Sequence, residues 1–528
     1  MTSADIIIVG AGPSGAFAAY QLRRRGVLVL DVGHRPAQSS LDGNLYDLRK
    51  SSDERGTTLF TELIGSEFES LHNVFNRYLS PKLKSPAMRF VTRQADQLGP
   101  VVAENVDFVR SFAAGGMANA WGAGLYRFTA EDLAGYPIRV EQLEPYYDAI
   151  TAKVGISGAD DDLSRFFGPA RGLQPPVKLG AIGRAVLRRY ARRGARMNGQ
   201  GFYVGHPRLG VLTRDHDGRR AYQYEALEFF RPNDPAVYNP TYTLDEMIEA
   251  REIRYEGRVL VERYVETDAG ITVHARNSAT GERHMFTCRR LILAAGTINT
   301  AKIVLKSNAD HTTALPLLDT ALTYIPLLDP WAIGGGLDKS VYSAAMLNAV
   351  YSARAGAQPI QMSLYGLVGT LRSDYLFDFP FAGRGNIAAA KFLTPALLLV
   401  QLSYPDNVAS IHIRLLPNDR LQLQSTGAPG PALEPEVLRL FRQLGFYGAA
   451  SLCRRLAPGN SFRYAGTLPM SAAPANRYET NTDGLLGGTR AVYVADAATL
   501  SPLPSKNHSL TMMANAMRIA ERVGRTLA

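Results

Sequence analysis

Hydrophobic and polar positions follow two periods along the chain. Ile6-Ile7-Ile8-Val9 is an unbroken β-branched run, the pattern of a parallel strand buried on both faces, and Gly10 ends it. Residues 16–25 (AFAAYQLRRR) have helical composition with cationic residues in the last turn, and Gly26 stands where a C-capping glycine belongs. Val27 to Leu30 supplies a second strand. Strand, helix and strand in this order predict a parallel sheet. At the other end, Ala491 to Ala495 reads as a short buried strand stopping at Asp496, and residues 509–527 place apolar side chains at helical spacing. The Gly-, Pro- and Asp-rich stretches 155–180 and 425–436 read as connections, and the alternating run Ala409 to Leu415 reads as a strand of an antiparallel sheet. No repeat of fixed period is visible. The longest apolar tract, Phe392 to Leu402, contains Pro395 and falls short of the ~20 residues of a membrane-spanning helix.

Composition narrows the class. With 528 residues, 46% hydrophobic and 20% charged, the chain is neither disordered, collagen-like nor a disulfide scaffold. At roughly 150 residues per domain it forms two to four units. The balance of 58 Lys and Arg against 48 Asp and Glu leaves +10, which favours anionic partners without naming one. Its densest cluster, Arg184 to Arg196, lacks adjoining basic and aromatic elements and reads as a solvated helix face rather than a nucleic-acid arm. Two distant cysteines, Cys288 and Cys453, indicate neither a disulfide framework nor a metal site and fit a reducing compartment. Met1 to Asp5 leads straight into the first strand with no targeting signal, so a cytoplasmic protein without a membrane span is expected. Neither an HExxH nor a GxSxG motif occurs, and no metal is expected.

The chemistry-bearing motif is Gly10-Ala11-Gly12-Pro13-Ser14-Gly15, followed 21 residues after Gly10 by Asp31. Gly10 permits a tight turn, Gly12 lets backbone approach a pyrophosphate, and Gly15 lets helix and strand pack closely. The helix N-terminus, with Ser14 in its first turn, offers N–H groups to phosphates. Asp31, ending the second strand, can accept hydrogen bonds from ribose hydroxyls. A dinucleotide is expected; the motif leaves FAD and NAD open.

Further segments carry a resemblance. In chain order they are Ala113 to Phe128 (AAGGMANAWGAGLYRF), Leu143 to Asp148 (LEPYYD), Leu291 to Thr300 (LILAAGTINT), Ala465 to Met470 (AGTLPM), Val492 to Asp496 (VYVAD) and Asn507 to Thr511 (NHSLT). Together they resemble the glucose/methanol/choline (GMC) flavoprotein oxidoreductases nearly end to end. That resemblance implies an α/β fold: a Rossmann-like FAD-binding domain of discontinuous residues 1–150, 246–305 and 456–528, with an interleaved α+β substrate-binding domain, 151–245 and 306–455, on an antiparallel sheet. It implies FAD, with Gly115, Gly116, Asn119, Trp121, Gly122, Gly296 and Asp496 joining the glycine motif around it. The Ala113 to Phe128 segment is also similar to that of pyranose oxidases, whose flavin-attaching His is matched by Ala120, so non-covalent FAD is expected.

Oxidising an alcohol requires a base that takes the hydroxyl proton while hydride leaves carbon. In GMC enzymes one His lies three residues before the Gly-Thr of the segment matching AGTLPM; here that position is Arg463, which stays protonated and cannot be a general base. The second member of the family's pair falls before the last helix, where this chain has Asn507 and His508. His508 is then the candidate base, with Asn507 and Arg463 positioning substrate or charge. Arg463 admits two readings: a fixed positive charge serving reduced flavin or a substrate carboxylate, or a drifted residue in a protein whose catalysis has been lost or moved. Three functions stay open: hydride transfer from a hydroxyl-bearing carbon of a small molecule, non-alcohol flavin chemistry on an anionic intermediate, and a catalytically silent flavoprotein.

Overall fold

The computed structural model describes residues 2–37, 39, 41–48, 63, 65, 81–228, 230–336, 338–352, 358–367, 392–405, 410–426 and 432–527. Three sheets organise it. In the largest, Thr2–Val9 runs parallel to Val27–Leu30 on one side and to Arg283–Leu293 on the other, with Ile7 opposite both Leu28 and Leu291. Arg254–Glu256 extends this sheet at one edge, Val492–Val494 adds a parallel strand beside Arg283–Leu293, and Gly270–Asn277 with Val259–Thr267 continues it antiparallel.

The β-branched run is buried on both faces, as its pattern predicts. Ile6 and Ile8 pack with Val27 and Val29 against the first helix (Pro13–Leu22), the Pro240–Glu249 helix and the last helix (Ser509–Arg525). Ile7 and Val9 face the opposite way, onto Ile298, Ala301 and Val304 of the Thr297–Ser307 helix. Each such side chain removed from water contributes about 1.5–3 kcal/mol before conformational entropy is counted.

Two local expectations are corrected. The first helix ends at Leu22, so Arg23, Arg24 and Arg25 lie beyond it rather than in its last turn. The chain is drawn off by Glu252, whose carbonyl accepts from the Arg24 N–H at 2.8 Å and whose carboxylate pairs with the Arg24 guanidinium at 2.7 Å. Of the run Ala409 to Leu415, Ala409 lies outside the described residues; Ile411–Leu415 is a strand paired antiparallel with both neighbours, as expected, but in a four-stranded sheet separate from the one that faces the cavity. Its Ile411, Ile413 and Leu415 join the core of the large sheet, because the Thr297–Ser307 helix, apolar on two sides, packs against both.

The remaining sheet is six-stranded and antiparallel, in the order Arg454–Arg455, Leu322–Leu328, Leu397–Ser403, Ile360–Gly366, Leu347–Tyr351, Phe202–Gly205. Its alternation divides two environments. Met362, Leu364, Leu398, Val400 and Leu402 face a core shared with the Ala181–Ala191 and Glu434–Gln443 helices, while Ser363, Tyr365, Leu399 and Gln401 face a cavity. The arginine-rich stretch from Arg184 occupies helical turns whose charged side chains are mostly exposed. Among the described residues no helix is long and apolar enough to cross a membrane.

Candidate active site

One continuous cavity of about 490 Å³ runs from the carboxyl ends of the parallel strands to the inner face of the six-stranded sheet. Gly10, Gly12 and Ser14 line one end of it together with Asp31. The glycines divide by function. A Cβ on Gly10, at φ +100°, would come within 2.4 Å of the Ala294 carbonyl oxygen, and one on Gly15 within 1.9 Å of the Gly10 carbonyl oxygen, so both are required by backbone packing. A Cβ on Gly12 would meet nothing within 4 Å. Ser14, in the first turn of the helix, has a buried hydroxyl without a hydrogen-bond partner.

Asp31 closes this end. Burial pushes its carboxyl up to about 7, against the lowering effect of the Ala11 backbone and of Tyr255, whose hydroxyl donates to Oδ2 at 3.4 Å. Asp496 lies where the Val492–Val494 strand ends. Its Oδ2 accepts from the Gly296 N–H at 2.9 Å and the Thr300 hydroxyl at 2.5 Å, and its Oδ1 from the Ala498 N–H at 2.9 Å. It therefore ties the start of one helix to the next short turn while lining the cavity; burial pushes it up to about 6. Gly296, at φ +85°, lines the same wall, and a Cβ there also meets open space.

The Ala113 to Phe128 segment crosses the cavity, lining it with Gly116, Trp121 and Gly122, while Ala120 also faces it. Gly15, Gly115 and Asn119 do not line it. Asn119 holds the loop instead, donating to the Ala114 and Gly116 carbonyls at 2.8 and 2.7 Å and accepting from Asn239 at 2.7 Å.

At the far end the structure brings Arg463, Asn507 and His508 together. The Arg463 guanidinium donates through Nη1 to the Ser403 hydroxyl (3.1 Å), the Ser505 carbonyl (3.2 Å) and the Thr320 hydroxyl (3.4 Å). Among the described residues no carboxylate pairs with it; Asp319 acts on it from a distance, its own oxygens occupied by Ser461 and by the Gly459 N–H. Burial lowers the Arg463 pKa, and the Tyr365, Tyr126 and Tyr324 hydroxyls are its other electrostatic neighbours. Phe462, immediately before it, sits at φ +59°, a strained conformation for a bulky residue. His508 is buried with Nδ1 unpartnered, as is Asn507 Oδ1. Burial first, and the Arg463 charge second, push the imidazole down to about 3. Lys506 anchors their loop, bonded to buried Asp132 and to the Phe166 carbonyl at 2.6 Å.

Sequence reasoning missed several lining groups. Tyr365 and Gln401, hydrogen-bonded at 3.0 Å, follow the period-2 pattern of their strands, yet nothing in that pattern says the second face is a cavity. Arg110 and Lys302 line the cavity as cations, and among the described residues no carboxylate pairs with either; burial pushes them down to about 10 and about 8. Lys302 follows Asn299 by three positions, on the helix face toward the cavity, and that spacing was the available signal.

Fold and cavity together define a class: a mixed α/β architecture whose parallel sheet carries the glycine-lined end of the cavity. The chain is similar over 99% of its length, and 99% of the other chain's, to pyridoxine 4-oxidase from Mesorbium loti, with a TM-score of 0.59 and 14% identity. It is also 27% identical over 176 residues to 2-methyl-1,2-propanediol dehydrogenase of Mycolicibacterium austroafricanum; this alignment spans 33% of the chain and 30% of that relative. No protein-family profile matches the chain.

Proposed function

We propose that the protein is an FAD-dependent oxidoreductase acting on a hydroxyl-bearing carbon of a small molecule. The observation that carries this reading is a single cavity joining a dinucleotide cradle to an imidazole and a guanidinium. The cradle fits the cofactor: open space above Gly12, an orphaned Ser14 hydroxyl at a helix N-terminus, and Asp31 where a ribose would lie. The names of the two relatives, an oxidase of pyridoxine and a dehydrogenase of a diol, point the same way. FAD, when bound, supplies a two-electron acceptor that takes hydride at N5.

The chain's own residues do the rest. The Ser14 hydroxyl and the N–H groups of the first helix would hold the pyrophosphate, Asp31 the ribose, and the Gly116 to Gly122 backbone the ring system. Ala120 offers no nucleophile, so the flavin is held without a covalent bond. His508, neutral at working pH, would take the hydroxyl proton, and the Asn507 amide N–H would donate to the hydroxyl oxygen. The domain division follows from the same reading: residues 1–150, 246–305 and 456–528 cradle the cofactor, and 151–245 with 306–455 face the substrate. The test is direct. Purified protein reconstituted with FAD should turn yellow, release all flavin on denaturation, and bleach anaerobically with a suitable alcohol. Failure to retain flavin overturns the cofactor assignment.

A further inference from the structure

Arg463 is a half-buried charge set in the cavity wall, with one side unused. All three of its side-chain hydrogen bonds leave from Nη1, to two hydroxyls and a carbonyl, none of them charged. Its Nε and Nη2 edge, the side that grips a planar anion in a two-pronged fork, carries no hydrogen bond among the described residues. A guanidinium held inside a protein without a counter-ion costs several kcal/mol. The three Nη1 bonds hold the guanidinium at the cavity wall. The cavity wall carries phenols and an indole, Tyr126, Tyr324, Tyr365 and Trp121, alongside polar Ser363, Gln401 and Arg454. Tyr365 and Tyr324 are each tied to Gln401, at 3.0 and 3.2 Å, which fixes the wall's shape.

Resting on the function proposed above, we infer that the substrate is a hydroxyl-bearing carboxylic acid whose carboxylate docks on the free edge of Arg463, with its hydroxyl toward His508 and Asn507. The docked anion has a second effect. The Arg463 charge is one of two causes that suppress the basicity of His508, the other being burial, and a carboxylate on Arg463 cancels the first. The base therefore strengthens when the acid substrate is in place, while a neutral alcohol leaves it weak. In the step that follows, the O–H bond breaks and its proton goes to the His508 imidazole. The C–H bond would break with both electrons, for which FAD held by the glycine motif would supply the acceptor, and the alcohol carbon would become a carbonyl.

The test uses the flavin-free protein and three probes in calorimetric titration: benzoate, benzyl alcohol and phenylphosphonate. Benzoate should bind at least tenfold more tightly than benzyl alcohol, and the preference should vanish in Arg463→Gln. Equal binding of benzoate and benzyl alcohol overturns the proposal, and so does a folded Arg463→Gln protein that keeps the preference. Phenylphosphonate binding tenfold better than benzoate overturns the carboxylate assignment. If the Gln variant fails to fold, Arg463→Lys is read instead: it keeps the charge and loses the fork, and benzoate affinity should fall tenfold, an unchanged value counting against the proposal. Because no flavin is present, these results stand apart from the oxidoreductase reading, which fails separately if 4-(hydroxymethyl)benzoate and simple alcohols all leave bound FAD oxidised.

Discussion

His508 shows how a single residue couples chemistry to stability. Its ring is buried, Nδ1 has no partner, and its pKa is pushed down to about 3, first by burial and then by Arg463. In the unfolded chain the same imidazole takes a proton as pH falls through about 6.5. Between those values the unfolded state binds a proton that the folded state refuses, so stability is intact above pH 6.5 and is lost progressively below it. At pH 5 the loss from this group is roughly 2 kcal/mol. The expected outcome is that His508→Gln loses less stability than the parent between pH 7.5 and pH 5, by about that amount, in denaturant unfolding of the flavin-free protein. Parallel pH dependences in the two proteins would show that the ring is not held neutral. The positions of Arg463, Asn507 and His508 were legible in the sequence through the resemblance of their two segments to the GMC flavoproteins. Their electrostatic state was not, because it depends on Tyr365, Tyr324 and Ser403, which reach the site from strands of another sheet.

At the scale of elements, the strand–turn–helix opening separates two kinds of glycine requirement that a motif cannot distinguish. Gly15→Ala would drive a methyl to 1.9 Å from the Gly10 carbonyl oxygen, so the first helix must lift from its strand. Gly12→Ala adds a methyl to open space at an N-cap with φ −72°, where losing the glycine cap costs about 1 kcal/mol at most and nothing has to move. The flavin-free Gly12→Ala protein should therefore melt near the parent while its FAD affinity falls at least tenfold. Gly15→Ala should melt well below the parent, by a margin in the 1–3 kcal/mol range of overpacked sites. Thermal melts and flavin titration of both variants check the division, and equal melting would remove it. Element existence was largely legible here: both terminal βα pairs are present and the helix starting at Ser509 fills its apolar pattern. Boundaries and partners were less so. The first helix stops early because Glu252, some 230 positions away, captures Arg24, and Ile411–Leu415 joins the small sheet because the Thr297–Ser307 helix needs a second apolar neighbour. Such partners are distant in sequence and leave no local period.

For the molecule as a whole, the cavity is a seam. Its lining comes from the start of the chain (Gly10, Asp31), from its middle (Gly116, Gly296, Tyr365) and from its end (Arg463, Asp496, His508), so a ligand filling it adds contacts among segments that already meet through the sheets and the packed first and last helices. A ligand that binds the folded chain alone stabilises it by RT ln(1 + [L]/Kd), about 2.7 kcal/mol at one hundred times Kd. Added FAD should therefore raise the melting midpoint by a few degrees, rising with free FAD concentration as non-covalent binding requires. The gain should also depend on pH through Asp31. Its folded pKa of about 7 lies above the unfolded value, so the empty fold keeps this contribution below pH 3.8 and loses it as pH rises toward 7 and the buried carboxylate ionises. Ribose hydroxyls donating to that carboxylate favour the ionised form and recover part of the loss. The midpoint shift produced by a fixed excess of FAD should be larger at pH 8 than at pH 6, and Asp31→Asn should flatten the difference. A shift that is equal at both pH values in the parent would remove Asp31 from the cofactor site, and no shift at all would remove FAD.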